Sequence, residues 1–268
     1  MTYDDEHDSS DLTLHLPRIL CLHGGGTNAR IFRAQCRGLS AQLADDFRLV
    51  FAEAAYTSHA GPDVLSVYKT WGPFKRWLRW LPHHPNPGPI AIVNELDAAL
   101  EDAMLLDDMR GATGQWVAVL GFSQGAKVSA SLLYRQQIQE EIFGKGNAST
   151  NFRFGIILAG RAPLICLDPE IESDIFFPDA SQITDVKDFK RPSLMNGGNI
   201  LRIPTLHVHG NKDPGLELHK QLYEDFCDPK TRRLVVWNGD HRLPLKRSDV
   251  SQVVDEIRAL ARLTYARR

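Results

Sequence analysis

The chain has 268 residues, 43% of them hydrophobic and 24% charged, which is the ordinary composition of a folded globular protein. A net charge of −2 gives no sign of a nucleic-acid partner, and no apolar run is long enough to cross a membrane. The four cysteines lack the spacing of a zinc site or a disulfide framework, which favours a reducing, cytoplasmic location. We therefore expect one α/β domain with neither a metal nor a cofactor.

In chain order, the acidic and polar residues 1–15 predict a mobile tail, the reverse of a secretory signal, and residues 16–268 predict a single domain. Buried strands are predicted at Arg18–Leu22, Arg48–Ala52, Trp116–Leu120, Phe152–Leu158, Thr205–His209 and Leu234–Trp237. Helical patterns lie near Ala29–Leu43, Ile92–Leu106, Ala126–Gln139, Glu217–Phe226 and Val250–Arg262. Strands that alternate with helices predict a mostly parallel central sheet of about six strands, flanked by helices.

Two long segments, residues 56–91 and 161–200, interrupt this alternation. Loops of this length in a compact domain are usually lids or binding loops, and both segments leave from the carboxyl ends of predicted strands. We therefore expect lid insertions over a site at that edge of the sheet. The first segment carries four large aromatic residues, Trp71, Phe74, Trp77 and Trp80.

The third predicted strand ends on a G-x-S-x-G pentapeptide, with Ser123 between Gly121 and Gly125, and a helical pattern follows. A strand, a tight glycine-flanked turn and a helix are what a nucleophile elbow requires, because the serine backbone is strained there and a Cβ at either flank would clash. The alternative is a glycine-rich turn with an incidental serine. The flanking strand and helix favour the nucleophile.

A serine nucleophile needs a base to accept its proton and an acid to orient that base. After an elbow of this kind the acid comes next in the chain and the histidine last. Asp213 follows the predicted strand Thr205–His209, and His241 follows the last strand, so they are the candidate acid and base. Asp240 is the rival acid, but adjacent residues on an extended segment point apart. A plain turn is the other interpretation of the segment around Asp213.

Two backbone N–H groups are needed to stabilise the oxyanion of an acyl-transfer intermediate. One is expected from Gln124, directly after the nucleophile. The other is expected from the glycine-rich loop after the first strand, where Gly25 is the first choice and Gly26 the second. His23 is interpreted as structural support for that loop.

Taken together, these motifs resemble the fungal FSH-type family of serine hydrolases in the α/β-hydrolase superfamily. The resemblance extends over residues 17–262 and is carried by Ile19–Asn28, Gly121–Gly125, His209–Pro214 and Gly239–His241, with Pro244 behind. Residues 24–35 and 72–79 are similar to the stand-alone polyketide-pathway thioesterases of the lovastatin type. The resemblance implies an α/β-hydrolase fold and an enzyme that releases acyl chains from the carrier domain of a polyketide synthase. Asp240 departs from the family pattern, which has a small residue before the histidine.

The implied reaction is attack by Ser123 on a thioester or ester, with water or a second substrate completing the transfer. An acyltransferase, a general carboxylesterase and a catalytically silent, ligand-binding hydrolase fold remain as alternatives. In the first long segment, roughly helical spacing relates Trp71, Phe74, Trp77 or Leu78, and Leu81, which favours either a core-facing helix face or the wall of an acyl pocket, and one helix can do both. Trp71, Phe74, Trp77 and Trp80 are the candidate pocket and lid residues. Interleaved Lys75, Arg76 and Arg79 are either a solvated face or contacts for an acidic acyl-carrier domain.

Overall fold

The computed structural model describes residues 12–61, 64–168, 177–184 and 200–266. In chain order, the elements are β1 (Arg18–Leu22), α1 (Ala29–Gln35), α2 (Arg37–Leu43), β2 (Arg48–Ala52), β3 (Tyr56–Ser58), α3 (Val64–Tyr68), β4 (Phe74–Arg76), α4 (Pro89–Met109), β5 (Trp116–Phe122), α5 (Gln124–Phe143), β6 (Phe154–Leu158), β7 (Thr205–Gly210), α6 (Leu216–Phe226), β8 (Arg232–Trp237) and α7 (Arg247–Tyr265). Each of the six predicted strands is present, within a few residues of its predicted ends.

These six strands form one sheet in the order β2-β1-β5-β6-β7-β8, and every neighbouring pair is parallel. The central strands are buried along their whole length, as expected for a parallel sheet that is covered on both faces. Because all six strands run the same way, the loops after β1, β5, β7 and β8 emerge at one edge. The glycine loop, the elbow and both candidate triad partners therefore lie at the same edge of the sheet.

Two apolar layers cover the faces of the sheet. On one face, α1, α2 and α7 pack with side chains such as Ile19 and Leu206. On the other face, α4, α5 and α6 pack with side chains such as Leu20 and Val119. The strands alternate side chains between the two layers, so the sheet is held rigidly and its carboxyl edge becomes a fixed platform. The four cysteines are free and buried, and Cys21, Cys36 and Cys227 lie within these layers.

The structure differs from the sequence-based expectation in two places. The single helix expected over Ala29–Leu43 is two helices, because the chain turns at Cys36, where ψ is 2°. Of the aromatic residues expected on one helix face, Phe74 lies in β4, whereas Trp71 and Trp77 lie on either side of it. This strand pairs antiparallel with β3. The backbone of Lys75 in β4 also pairs with Thr27, so this hairpin is joined to the glycine loop by hydrogen bonds.

The ends and insertions of the chain are only partly described. Residues 1–11 of the predicted tail lie outside the described residues, whereas residues 12–15 form a turn whose Thr13 carbonyl accepts a hydrogen bond from the Leu16 N–H. Of the second predicted lid segment, residues 169–176 and 185–199 also lie outside them. Among the helices of the described residues, none combines the length and apolar character needed to span a bilayer.

The fold predicts a strong contrast between two Gly→Ala substitutions. A Cβ at Gly125 would lie 2.1 Å from the Leu22 carbonyl oxygen, where backbone must move, so Gly125→Ala should lower the free energy of unfolding by about 3 kcal/mol. A Cβ at Gly38, inside α2, would meet Val250 at an ordinary 3.4 Å. Gly38→Ala should therefore raise the free energy of unfolding by about 0.5 kcal/mol. Urea unfolding of both variants measures this contrast, and equal effects would contradict the close strand–helix contact.

Candidate active site

The elbow between β5 and α5 holds Ser123 in a strained conformation. Its φ of 53° and ψ of −112° are unusual for a residue with a side chain. A Cβ at Gly121 would lie 2.2 Å from the Gly125 carbonyl oxygen, so only glycine allows the strand and helix to meet this closely. The Ser123 N–H donates to the Leu158 carbonyl at 2.9 Å, which anchors the turn to β6. The hydroxyl is thereby lifted above the sheet edge.

The structure brings the three predicted catalytic side chains together. The Nε2 atom of His241 lies 2.9 Å from the Ser123 Oγ, and its Nδ1 atom lies 2.6 Å from the Asp213 Oδ2. Ser123 follows β5, Asp213 follows β7 and His241 follows β8, so three separate strand ends supply the constellation. With the Nδ1 proton directed to Asp213, Nε2 is free to accept the serine proton.

The Asp213 carboxylate is buried and fully engaged. Its Oδ1 accepts a hydrogen bond from the Gly215 N–H at 2.7 Å. Burial by itself would raise the pKa of Asp213, but the hydrogen bonds from His241 and the Gly215 N–H outweigh it, and the pKa is lowered. Asp213 is therefore ionised at neutral pH, as an orienting acid requires. The rival acid, Asp240, is exposed and pairs with Arg242 at 3.5 Å, away from the histidine ring.

Two further histidines lie behind this acid. His219 is fully buried, with its Nε2 3.8 Å from the Asp213 Oδ2, and its ring lies 5.5 Å from that of His209. Burial lowers the pKa of His219 to about 3 and that of His209 to about 4, so both rings are neutral at physiological pH. Asp213, His219 and His241 form the one described cluster whose ligand atoms are close enough to share a metal ion. In this cluster, however, Asp213 and His241 are hydrogen-bonded to each other.

The candidate oxyanion donors lie on either side of the elbow. Within the described residues, no protein group accepts a hydrogen bond from the N–H of Gly25 or of Gln124. The Gly26 N–H, by contrast, donates to the Lys75 carbonyl at 2.8 Å. The structure therefore favours Gly25 over the second choice, since a donor already in use cannot stabilise a developing charge. A Cβ at Gly25 would touch the Gln124 side chain at 3.2 Å, which brings the two donors together.

The side chain of Gln124 has a role that the sequence did not suggest. Its Oε1 accepts hydrogen bonds from the N–H groups of Trp77 and Leu78, and its Nε2 donates to the Leu78 carbonyl. The indole of buried Trp77 donates to the His23 carbonyl at 2.8 Å. His23 in turn accepts from the Ala54 N–H through Nε2. These bonds fix the glycine loop, consistent with a structural interpretation of His23.

A cavity of about 610 Å³ opens at Ser123. Of the four aromatic residues predicted to form its wall, Trp80 lines it, whereas Trp71, Phe74 and Trp77 are not among the lining residues. Trp71 instead lies beneath the guanidinium of Arg30, and Trp77 is buried under the glycine loop. Leu78, which belongs to the helically spaced set, also lines the cavity. Further apolar lining comes from residues that the sequence analysis did not select: Val64, Val67, Tyr68, Ile165, Leu218, Leu243 and Leu245.

The three candidate carrier-docking cations have different environments. Arg76 is buried and lies over the Tyr56 ring, so it is not available to a partner surface. The guanidinium of Arg79 donates to the carbonyls of His84, Ser181 and Pro82. Burial of the Arg76 side chain counts against it as a docking contact, whereas docking of a carrier domain by these cations stays a prediction. Lys75 lies in β4, where its Nζ donates to the Ala55 carbonyl.

A parallel sheet with a strained serine elbow at its carboxyl edge defines the α/β-hydrolase fold, which confirms the predicted fold class. The chain matches the family described as Serine hydrolase (FSH1) over residues 13–253. It therefore belongs to this family of serine hydrolases.

Known proteins agree with this assignment. The chain is 63% identical over 252 residues to Esterase claE of Penicillium crustosum, covering 94% of this chain and 95% of that protein. It is 58% identical over 256 residues to Esterase citA of Monascus ruber, covering 96% of each. The crystal structure of esterase PE8 shares the fold, with a TM-score of 0.50 and 16% identity, over 92% of this chain and 93% of that one. The resemblance to fungal FSH-type hydrolases is thus confirmed.

Proposed function

We propose that this protein is a serine thioesterase that releases a polyketide-like acyl chain from a carrier-bound thioester through an acyl-Ser123 intermediate. The observation that carries the proposal is the hydrogen-bonded series from Asp213 through His241 to Ser123 at the mouth of a largely apolar cavity. The names of the relatives support ester cleavage. The thioester and the polyketide-like chain follow from the resemblance to polyketide-pathway thioesterases.

In the proposed reaction, each group has one role. The His241 Nε2 accepts the Ser123 proton as Oγ attacks the acyl carbonyl, and the oxyanion receives the N–H groups of Gly25 and Gln124. The imidazolium, held by Asp213, gives that proton to the departing thiolate. A water molecule then enters, loses a proton to His241, and attacks the acyl carbonyl to free the acid and regenerate Ser123.

The proposal predicts a measurable acyl-enzyme. With the N-acetylcysteamine thioester of hexanoic acid, we expect thiol release with a kcat/KM of about 10⁴ M⁻¹s⁻¹ or more. Rapid acid quenching followed by peptide mass spectrometry should locate a hexanoyl adduct on Ser123. Thiol detection and adduct mass are independent measurements, so a slow chemical background cannot imitate both.

Three other outcomes separate the alternatives. Cleavage of the matched oxygen ester without cleavage of the thioester would replace the proposal with a general carboxylesterase. Thiol release that needs an added alcohol or amine, with transfer of the acyl group to it and no free acid, would identify an acyltransferase. If there is neither thiol release nor an adduct, the protein is a silent, ligand-binding member of the fold.

We propose an acyl-carrier domain as the natural donor. Lys75, on the solvent side of the hairpin, is the predicted contact for it.

A further inference from the structure

The cavity at Ser123 has a biased charge. Among its described lining residues, five are lysine or arginine and none is aspartate or glutamate; the five are Arg37, Arg79, Lys127, Arg161 and Arg242. The chain as a whole has 33 acidic and 31 basic residues, so this bias does not reflect composition. A site that accepted only neutral acyl chains would have no use for it, because cations in a partly apolar cavity cost solvation energy.

Two of the five differ from the rest in how they are paired. The side chains of Arg37 and Arg79 donate to loop or helix carbonyls, and Arg242 pairs with Asp240. The side chains of Lys127 and Arg161, by contrast, have neither a carboxylate nor a backbone carbonyl as acceptor within the described part of the chain. Within those residues, both side chains therefore keep donors available to a bound anion.

Lys127 lies one helical turn after the nucleophile. Its backbone N–H donates to the Ser123 carbonyl at 3.1 Å, which places its side chain on the same face of α5 as the elbow. Its Nζ donates to the Thr184 Oγ1 at 2.7 Å, so two of its three N–H donors have no partner among the described residues. Loss of water around the ammonium, and then the nearby charge of Arg161, lower the pKa of Lys127 to about 7. An anion at this position would restore the charged form.

Arg161 reaches the same region from the neighbouring strand. It follows β6, whose end is bonded to the elbow through the Leu158 carbonyl, and its guanidinium packs against Gly215 in the acid loop. The Nε atom of Arg161 is buried without a hydrogen-bond partner among the described residues. An unpaired buried donor of this kind costs free energy unless a ligand accepts from it.

We propose that Lys127 and Arg161 form an anion subsite that selects acyl chains carrying an acidic oxygen, such as a carboxylate or an ionised enol. This inference rests on the proposed function, since it specifies the substrate class of the same site. The subsite concerns the acyl chain rather than the thiol, because a bulky carrier must remain outside the mouth. The interior beside α5 is then filled by the chain attached to the carbonyl.

The test compares N-acetylcysteamine thioesters of matched length. The first set of acyl groups is hexanoyl, adipoyl, which ends in a carboxylate, and adipamoyl, the neutral amide analogue of adipoyl. The longer octanoyl and suberoyl groups repeat the neutral and anionic comparison at a greater distance from the reacting carbonyl. A hexanoyl thioester of 3-mercaptopropionate carries the same charge on the leaving group. We expect the native protein to prefer the anionic acyl group over its neutral match about tenfold or more, with no such preference for the anionic thiol.

Variants locate the preference. In Lys127→Met, the ratio of anionic to neutral kcat/KM should fall about 10- to 100-fold, because a charge-assisted hydrogen bond is lost while the aliphatic stem remains. Arg161→Met should lower the same ratio, and Arg161→Lys should restore part of it. The control is Lys230→Met, an exposed lysine at the opposite, amino-terminal edge of the strands, which should leave the ratio unchanged.

The results separate this inference from the proposed function. No thiol release from any of the five acyl thioesters, neutral or anionic, would contradict the proposed function itself. Release of hexanoate at a normal rate, with no preference for either dicarboxylate or with a preference that survives Lys127→Met, would overturn the anion subsite alone. A preference that appears for the anionic thiol instead would place the cations on the leaving-group side and would also overturn it.

Discussion

Ser123→Ala is expected to lower kcat for thioester or ester cleavage by about 10⁶, to the background of the uncatalysed reaction assisted by binding alone. The size of the effect follows from the geometry, since the Ser123 hydroxyl is the group that the His241 Nε2 contacts, with Asp213 on the other side of the ring. The strained elbow holds the side chain at position 123 above the sheet, so alanine fits without rearrangement. Steady-state kinetics and labelling with a fluorophosphonate probe measure the loss.

The matched control is Ser248→Ala, which removes an exposed hydroxyl at the start of α7. It should change kcat by less than about twofold, since surface substitutions away from special features have small effects. The probe should label the native protein and the control equally and should not label Ser123→Ala. Undiminished labelling of the alanine variant would mean that a different nucleophile does the chemistry.

The catalytic constellation was open to prediction because its signals are local. An apolar run that ends on a glycine-flanked serine specifies strand, turn and helix within ten residues. The space at Gly121 and Gly125 excludes any side chain, which fixes the close contact of the strand and the helix. The parallel sheet then determines where the loops that carry the candidate acid and base lie, because loops that follow parallel strands emerge at one edge. Asp213 and His241 could be selected by their position after a strand, without any knowledge of their contacts.

The hairpin of β3 and β4 was not predictable on the same basis. The spacing of Trp71, Phe74 and Trp77 satisfies a helical period, but the segment is extended because its partners are distant in the chain. The Asn28 side chain donates to the carbonyls of Trp71 and Pro73, and Lys75 pairs with Thr27. Long-range hydrogen bonds decided the backbone conformation there, and periodicity contains no information about them.

The cavity lining shows a second limit. Most of its apolar side chains come from short segments brought together by the fold, so no local pattern distinguishes them from core residues. The position of Lys127, in contrast, could have been inferred from the sequence. A residue four positions after the candidate nucleophile, in the helix that follows it, lies on the same helix face. The role proposed for Arg161 depends on its surroundings in the fold, because it rests on the lack of a carboxylate partner among the described residues.

Asp213→Asn is expected to lower kcat by about 10⁴ while leaving the fold intact. An asparagine can keep the hydrogen bond to the Gly215 N–H through its amide oxygen, so the acid loop retains its shape. Its neutral side chain cannot stabilise the imidazolium of His241, and an amide N–H facing Nδ1 favours the tautomer that leaves Nε2 unable to accept a proton. The loss should appear in kcat, because the cavity that binds the acyl chain is unchanged.

Asp240→Asn provides the matched control, since it removes a carboxylate from the residue directly before the same histidine. That side chain is exposed and pairs with Arg242, and a surface pair of this kind contributes little. We expect Asp240→Asn to change kcat by less than about threefold. Comparable losses in the two variants would mean that Asp240 shares the orientation of His241, whereas a large loss in Asp240→Asn alone would reverse the assignment. The two substitutions remove the same charge, but only Asp213 contacts the His241 ring. A difference in kcat between the variants therefore measures the contribution of that contact.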